Sequence, residues 1–290
     1  MSETDEMNPL LGEVCIVTGA GRGLGARVAD ALAAQGGRLA LTGRDAGSLA
    51  AVAERLRTHG DAPFWSAFDV RDPAAAAQFC ADVESRLGVP SVLVNNAAVL
   101  GPVGAIIDVD LADWWAALET NLLGVASMTA VVGRAMARAG RGVIVNLSGG
   151  GIGGSRVAGA ISAYTSSKAA VVQLTETTAK ELGPYGVRVV AVAPGAFATD
   201  FTASIVAAGP LVAGEELFES TVRDRGQDGD WAAFEAMLRY VISPEAAWLN
   251  GRLVSARWET PEGLRSAAAG GDASLYRLRR VDGTLVFTAS

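Results

Sequence analysis

A tyrosine and a lysine four residues apart, Tyr164 and Lys168, are the first side chains in this sequence that could do chemistry together. They follow Ser162 in a stretch that is typical of a helix, and residues four apart in a helix lie on the same face. A free tyrosine has a pKa of about 10, and a nearby ammonium stabilises its phenolate. The pair therefore predicts an acid–base centre in which Lys168 lowers the pKa of Tyr164.

A glycine-rich stretch near the N-terminus, VTGAGRGLG at residues 17–25, joins a short apolar run to an Ala-rich helical segment. Glycines there let backbone N–H groups approach a pyrophosphate, and a helix N-terminus adds partial positive charge. A glycine cluster directly after an N-terminal strand is more specific than one elsewhere. The stretch predicts a dinucleotide site with contacts from Thr18, Gly19, Gly21, Arg22, Gly23, Leu24 and Gly25.

Two arginines indicate which dinucleotide this would be. Arg22 lies within the glycine-rich stretch, and Arg44 follows the second predicted strand, where the adenosine ribose would rest. An acidic residue there bonds the free 2′-hydroxyl of NAD, whereas an arginine pairs with the 2′-phosphate of NADP. NADP(H) is therefore the preferred cofactor. NAD(H) is the alternative if both arginines are surface cations and Asp45 bonds the ribose.

The elements that must position these residues alternate along most of the chain: short runs rich in Val, Ile and Leu, and longer Ala-rich amphipathic stretches. This alternation is typical of a parallel sheet with helices on both faces, and right-handed crossovers make it a doubly wound, Rossmann-type α/β fold. Seven strands are predicted, at residues 13–18, 38–42, 63–68, 91–94, 142–147, 187–193 and 252–256. Helices are predicted near residues 23–35, 46–58, 73–87, 110–138 and 162–182.

The same pattern predicts one domain over residues 10–258, a flexible tail at residues 1–9 and a C-terminal extension at residues 259–290. Within the domain, residues 199–240 read as helices and loops without a strand. They would lie beyond the carboxyl edge of the sheet, where ligands bind in such folds. We expect this segment to be a substrate lid.

The composition excludes several classes of function. A formal charge of −7 and a pI near 4.9 argue against binding to nucleic acid or to an anionic membrane. Cys15 and Cys80 show neither metal-ligand nor disulfide spacing, and His59 is the only histidine, so no metal site is expected. The acidic N-terminus is unlike a signal peptide, and no membrane span is evident. We expect a cytoplasmic protein that acts on a small molecule.

In order and spacing, the motifs resemble those of the short-chain dehydrogenases/reductases of the single-domain branch. The matches are Thr18 to Gly25, Asp69-Val70, Asn95-Asn96-Ala97, Asn121, Ser148, Tyr164-x-x-x-Lys168 and Pro194-Gly195-x-x-x-Thr199. They span residues 10–256. The resemblance implies an enzyme that interconverts a ketone and a secondary alcohol by hydride transfer, with Tyr164 as the acid–base group.

The resemblance also implies roles for the other matched residues. Those implied to form the cofactor site are Asp69 and Val70 beside the adenine, Asn95 stabilising the sheet beside the cofactor, Ala97 near the fourth strand, Pro194 and Gly195 after the sixth, and Thr199 at the nicotinamide carboxamide. Lys168 would reach the ribose of the cofactor. Asn121 would anchor a water that relays protons from Lys168.

The catalytic serine departs from the family pattern. The family usually places it nearer the tyrosine, as the second member of a Ser-Ser pair, where this chain has Gly149. Ser148 lies 16 residues before Tyr164, and glycines at 149, 150 and 151 could let its hydroxyl turn inward. Three hydrogen-bond donors for the substrate oxygen remain open: Ser148, Ser155 delivered by the loop, or backbone N–H groups.

The predictions of assembly and of a carrier-bound substrate depend on residues of the fourth predicted helix and its end. Trp114 and Trp115 are neighbours there, and core packing explains at most one of them because adjacent residues point about 100° apart. A homodimer or homotetramer is therefore predicted. Arg134, Arg138 and Arg141 would either dock an acidic carrier, as in a 3-oxoacyl-carrier-protein reductase, or complement the helix C-terminus. A catalytically silent NADP-binding regulator or assembly protein is the alternative outside the enzymes.

Overall fold

A seven-stranded parallel sheet forms the centre of the fold. The computed structural model describes residues 9–149, 158–225, 231–270, 275–277, 281–282 and 285–286. Its strand order is β3-β2-β1-β4-β5-β6-β7, and every pairing within this sheet is parallel. The strands are β1 Val14–Thr18, β2 Arg38–Gly43, β3 Phe64–Ala67, β4 Pro90–Asn95, β5 Gly142–Leu147, β6 Val187–Ala193 and β7 Leu253–Ser255. The predicted fold class and all seven predicted strands are confirmed.

Ten α-helices occur in the described part of the chain. They are α1 Gly23–Ala33, α2 Ala46–Leu56, α3 Pro73–Arg86, α4 Leu111–Leu118, α5 Gly124–Ala139, α6 Ser162–Leu182, α7 Asp200–Ala213, α8 Glu215–Arg225, α9 Trp231–Ile242 and α10 Pro261–Gly270. Two short strands, β8 Val281–Asp282 and β9 Leu285–Val286, pair antiparallel apart from the main sheet. Residues 1–8 of the expected tail lie outside the described residues.

The two faces of the sheet bury separate cores, because successive strand residues point to opposite sides. On one face, Cys15 and Val17 of β1 join residues of α1, α2 and α9. On the other face, Val14 and Ile16 join residues of α3, α5 and α6. All four of these strand residues are buried. The strands are therefore covered on both sides, which explains their nearly continuous apolar sequences.

Aspartate N-caps begin three of the helices, α2, α3 and α4. Asp45 accepts a hydrogen bond from the Ser48 backbone N–H at 2.7 Å, and Asp72 caps α3 with Pro73 as the first helical residue. Asp110 caps α4 in the same way. At the other end, Gly140 in the left-handed conformation terminates α5. These local signals fix where each helix starts and stops.

The single helix predicted at residues 110–138 is interrupted. A π-helical turn, Glu119–Leu123, separates α4 from α5. Such a turn adds a residue to the helical repeat and frequently marks a functional site. Here it contains the fully buried Asn121. The sequence pattern missed this break because the apolar periodicity of the two helices continues across it.

The composite helix Leu111–Ala139 is long and apolar enough, by length and composition alone, to cross a membrane. Half of its most apolar window is buried inside the protein. Met128, Val132 and Met136 lie in the core on one face of the sheet. The apolar character of this helix is therefore explained by packing against the sheet.

Part of the C-terminal extension packs on its own chain at residues 275–277. The backbone N–H of Leu253 in β7 donates to the carbonyl oxygen of Tyr276 at 2.7 Å. The Tyr276 ring lies edge-on to Trp248, with centroids 5.9 Å apart, and Arg277 pairs with the nearly buried Glu176 at 2.7 Å. This segment thus covers the outer edge of β7. The boundaries of the domain and of the extension stay predictions.

Candidate active site

The carboxyl ends of the strands open into one cleft of about 1750 Å³. Sites for a single small molecule are typically about 300–1000 Å³, so this cleft has room for a dinucleotide and a second molecule. Sixteen of the predicted site residues line it: Gly19, Gly21, Arg22, Gly23, Leu24, Gly25, Arg44, Asp69, Val70, Ala97, Ser148, Tyr164, Lys168, Pro194, Gly195 and Thr199. Thr18, Asn95 and Asn121 do not line it.

The glycine-rich stretch forms a tight turn between β1 and α1. Gly19 and Gly23 adopt left-handed backbone angles, with φ of 64° and 54°. A Cβ at Gly25 would lie only 2.2 Å from the carbonyl oxygen of Gly19. The backbone therefore folds too closely to admit a side chain there, and it faces the cleft at the N-terminus of α1. These residues fit a dinucleotide pyrophosphate, which needs close backbone approach and favourable partial charge.

Thr18 and Asn96 hold this turn in place. The Thr18 hydroxyl accepts hydrogen bonds from the backbone N–H groups of Asn96 and Ala97, both at 3.0 Å. The Asn96 side-chain amide donates to the carbonyl oxygens of Thr18 and Gly19 at 2.8 and 3.1 Å. Thr18 is thus a positioning residue, in contrast to the predicted contact. Asn96 was not among the predicted site residues, although it lies in the Asn-Asn-Ala motif.

Asn95 lies beneath the cleft and ties the sheet to its helices. Its side-chain amide donates to the Asn146 side-chain oxygen at 2.9 Å and to the Thr129 hydroxyl at 3.2 Å. Asn146 in turn donates to the Thr175 hydroxyl at 2.8 Å. This buried polar chain links β4, β5, α5 and α6. It supports the implied sheet-stabilising role of Asn95, and it places the residue below the cofactor site rather than in it.

The two arginines lie at one end of the cleft. Arg44 is exposed on the loop between β2 and α2 and lines the cleft. The pKa of Asp69 is lowered, mainly by its hydrogen bond with Arg71 and to a smaller extent by the positive charge of Arg44. The neighbouring Asp45 carboxylate is engaged in capping α2. Arg22 forms an ion pair of 2.7 Å with Asp200, the first residue of α7. This pair joins the glycine-rich turn to the segment predicted as a lid.

Tyr164 and Lys168 lie on one face of α6, which begins at the cleft. Lys168 is 2% exposed, and its ammonium donates a hydrogen bond of 2.7 Å to the carbonyl oxygen of Leu147, the last residue of β5. Burial lowers the pKa of Lys168 to about 8. Burial also raises the pKa of Tyr164 to about 12. Desolvation of the phenolate is the cause of the raised pKa of Tyr164, and the stabilisation of that phenolate by Lys168 stays a prediction.

Ser148 is the serine that the structure brings into the cleft. It is buried, and its hydroxyl has no hydrogen-bond partner within the described residues. Its backbone N–H is fixed by the carbonyl oxygen of Val192 at 2.8 Å. A Cβ at Gly149 would lie 2.7 Å from the Tyr164 hydroxyl oxygen, so only glycine fits beside the tyrosine at that position. Ser155, the other candidate, lies outside the described residues.

Asn121 has a different position from the one implied. Its side-chain amide donates to the Val99 carbonyl oxygen and the Ser167 hydroxyl at 2.8 and 2.9 Å, and its oxygen accepts from the Val99 N–H at 2.7 Å. These bonds tie the loop after β4 to α6 at the base of the catalytic helix. Asn121 therefore positions the cleft wall, and the structure does not bring it to the cleft.

The family can now be identified. The sequence model of the family described as short chain dehydrogenase matches residues 13–209 of this chain. The chain belongs to the short-chain dehydrogenase/reductase family. It is 33% identical over 242 residues to the 3-alpha-(or 20-beta)-hydroxysteroid dehydrogenase of Mycobacterium tuberculosis strain H37Rv, covering 83% of this chain and 86% of that one. It is 30% identical over 248 residues to gluconate 5-dehydrogenase of Gluconobacter oxydans strain 621H, covering 84% and 93%.

Solved structures of short-chain dehydrogenases share the fold. NAD⁺-bound xylitol dehydrogenase superposes with a TM-score of 0.75 at 26% identity, over 85% of this chain and 98% of that one. A single-residue variant of the actinorhodin polyketide ketoreductase, solved with NADPH, also superposes with a TM-score of 0.75, at 30% identity over 88% and 97%. Structural relatives of this chain thus bind either nicotinamide cofactor.

The arginines at the end of α5 lie away from the cleft of this short-chain dehydrogenase. Arg138 pairs with Glu84 at 2.8 Å, and Arg141 pairs with Glu13 at 2.7 Å. Glu13 precedes β1 at the amino edge of the sheet, whereas the cleft opens at the carboxyl edge. Arg138 and Arg141 thus have carboxylate partners within the chain, and the carrier-docking interpretation of these arginines stays a prediction.

Proposed function

We propose that this protein is an NADP(H)-dependent oxidoreductase that interconverts a ketone and a secondary alcohol on a small molecule, with Tyr164 as the acid–base group. One observation carries this proposal. The Tyr164–Lys168 pair and the glycine turn between β1 and α1 line the same cleft, at the carboxyl ends of the parallel strands. Ligands bind at this edge in open parallel sheets.

The residues of the chain would divide the chemistry between them. The bound cofactor supplies or accepts a hydride at the substrate carbon. In reduction, the Tyr164 hydroxyl donates its proton to the carbonyl oxygen, and the Lys168 ammonium stabilises the phenolate that forms. The raised pKa of Tyr164, about 12, keeps this proton in place at neutral pH.

Ser148 is our choice for the donor to the substrate oxygen. A buried hydroxyl without a partner costs about 1–3 kcal/mol, and Ser148 has none among the described residues, which supports its use on a ligand. A second observation supports the same choice: Gly149 has no side chain, which leaves room for the Tyr164 hydroxyl. In this arrangement the serine is displaced by one position without losing its role.

The preference for NADP(H) is supported by Arg44. Its exposed guanidinium lines the cleft after β2, and the carboxylate next to it, Asp45, already accepts a hydrogen bond from Ser48. The planar guanidinium of Arg44 would pair with a 2′-phosphate there. A 2′-hydroxyl would instead have to share the Asp45 carboxylate with the backbone N–H of Ser48. Arg22, held by Asp200, offers a second cation on the adjacent turn.

The lid and the assembly remain proposals of the same kind. Helices α7 and α8, within residues 199–240, supply one side of the cleft, which supports a substrate lid there. Trp114 donates a hydrogen bond to Ser162 at 3.0 Å, whereas Trp115 exposes 58% of its surface. An exposed tryptophan supports a homodimer or homotetramer. The cytoplasmic location stays a prediction.

Initial rates of NADPH oxidation with a panel of ketones and aldehydes test this function. The proposal expects turnover of at least one carbonyl compound by the purified chain, and slower turnover when NADH replaces NADPH. A protein that binds NADPH but turns over none of these compounds would fit the regulatory alternative. The presence of Tyr164 in the cleft with the buried Lys168 beside it favours the enzyme.

A further inference from the structure

We infer that the substrate is an uncharged ketone whose surface is mainly hydrocarbon. This inference rests on the proposed function and adds the chemical class of the substrate. Tyr164 belongs to an apolar cluster that is separate from the two cores of the sheet. The cluster draws its residues from the loop after β4, from the start of α6 and from the α7–α8 segment, so it surrounds the catalytic tyrosine rather than supporting the sheet.

Side chains of α7 and α8 form the apolar wall facing Tyr164. The Phe201 ring meets the Tyr164 ring edge-on, with centroids 5.3 Å apart. Ile205 lies one helical turn further along α7, and Leu217 comes from α8. All three line the cleft. A ligand that reaches the tyrosine hydroxyl must therefore lie against hydrocarbon, and each buried CH₂ group of that ligand contributes about 0.8 kcal/mol.

Two hydroxyl groups on this wall, those of Thr202 and Ser220, are engaged within the protein. Thr202 donates to the Thr199 carbonyl oxygen at 2.9 Å and accepts from the Thr199 N–H at 3.1 Å. Ser220 donates to the Leu217 carbonyl oxygen at 3.0 Å. A polyhydroxy ketone needs a partner for each hydroxyl that leaves water, and every missing partner weakens binding. These two hydroxyls of the wall are thus not free to replace the water around a sugar or polyol.

The charges on the lid side of the cleft disfavour anionic substrates. Three exposed glutamates of α8 line this side: Glu215, Glu216 and Glu219. Arg223 and Arg257 also line it, and Arg257 is paired with Asp224 at 3.3 Å. A substrate carboxylate would approach the exposed carboxylates of Glu215 and Glu219 and would be repelled by them.

Two matched ketone pairs test the inference, with kcat/KM measured in saturating NADPH. Ethyl levulinate and levulinate differ in charge but share one ketone, and 1-tetralone and D-xylulose contrast hydrocarbon with hydroxyl groups. We expect kcat/KM to be about tenfold or more higher for the neutral ester and for 1-tetralone. Faster turnover of levulinate or D-xylulose that is lost in Tyr164→Phe would overturn this inference and leave the proposed function standing. No Tyr164-dependent turnover of any of the four would overturn the proposed function and the inference with it.

Two substitutions on α8 locate the effect. Leu217→Asn places an amide on the apolar wall and should raise KM for 1-tetralone about five- to tenfold. Val222→Asn is the matched control, because Val222 is 47% exposed on the same helix and does not line the cleft. Circular dichroism and the Kd of NADPH verify that both variants fold. Leu217→Met, which keeps the volume and apolar surface, should retain the KM of the natural chain; an equal loss in Leu217→Met and Leu217→Asn would contradict the inference.

Discussion

The ammonium nitrogen of Lys168 lies 5.9 Å from the centroid of the Tyr164 ring and donates a hydrogen bond to the carbonyl oxygen of Leu147 at 2.7 Å. Leu147, the last residue of β5, thus fixes the Lys168 side chain near the Tyr164 ring. This geometry keeps a charged group in a buried place, where its pKa falls to about 8. Burial of the Lys168 ammonium therefore costs free energy, and the fold alone does not require that cost.

Lys168→Met should abolish turnover and stabilise the protein. The folded-state pKa of Lys168 lies below its ordinary value of 10.5, so burial of the ammonium destabilises the fold in full below about pH 8. Removing the charge should raise the free energy of unfolding at pH 7 by about 1–3 kcal/mol, after the lost hydrogen bond to Leu147 is counted. Urea unfolding measures this gain. The gain should disappear by about pH 10.5, and a variant that is less stable than the natural chain at pH 7 would contradict the account.

The rate of carbonyl reduction should fall with pH above about 8. Below that pH Lys168 carries its charge and can stabilise the Tyr164 phenolate; above it the charge is lost, while Tyr164 keeps its proton until about pH 12. We expect kcat/KM for reduction to be flat at neutral pH and to drop about tenfold per pH unit past the lysine pKa. Lys168→Arg is the control, because a guanidinium stays charged throughout this range. An unchanged profile in Lys168→Arg would show that another group titrates.

Ser148→Ala should lower kcat about 10- to 100-fold, since one hydrogen-bond donor to the developing oxyanion is lost. The same change should leave the stability of the fold equal or slightly higher, because the Ser148 hydroxyl is buried without a partner in the described residues. Thermal unfolding and steady-state kinetics measure the two effects. Ser167→Ala removes a hydroxyl that bonds Asn121 and serves as the contrast, with an expected loss of stability. A kinetically silent Ser148→Ala would assign the donor role to the backbone or to Ser155.

Arg44→Ala should weaken NADPH selectively. We expect the KM for NADPH to rise about tenfold or more, and the KM for NADH to change little, because only the 2′-phosphate loses its partner. Arg57→Ala provides a surface control, since Arg57 is exposed beyond α2 and pairs only loosely with Glu54 at 3.6 Å. Equal effects on both cofactors would indicate that Arg44 contributes general attraction and that the cofactor is not selected by a 2′-phosphate.

The fold was largely predictable from sequence, for a physical reason. Strands buried on both faces give continuous apolar runs, and glycines and acidic caps mark the ends of the helices, so β1 to β7 were located with small errors at their ends. The π turn at Glu119–Leu123 was not predictable, because it changes the helical repeat without changing the apolar pattern. Its consequence, the inward position of Asn121, was missed with it.

The site was predictable as a set of residues and less so in its roles. Tyr164, Lys168 and Ser148 line one cleft, and their catalytic roles stay predictions. The raised pKa of Tyr164 was not predictable, because spacing along a helix reports proximity and says nothing of burial. Asn96 escaped notice because its partners, the carbonyl oxygens of Thr18 and Gly19, come from a strand 77–78 residues earlier. Contacts between residues so far apart in the sequence form only when the sheet is assembled, and no local pattern predicts them.

Tyr164→Phe tests the central claim most directly, through two measurements on one variant: the Kd of NADPH and the kcat for reduction of the best ketone of the panel. The Phe ring keeps the edge-on contact with Phe201 and removes only the hydroxyl. We predict a Kd within about threefold of that of the natural chain and a kcat lower by about 10³-fold or more, as expected for loss of the proton donor. A variant that keeps a tenth or more of the natural kcat, with NADPH binding intact, would contradict the assignment of Tyr164 as the acid–base group.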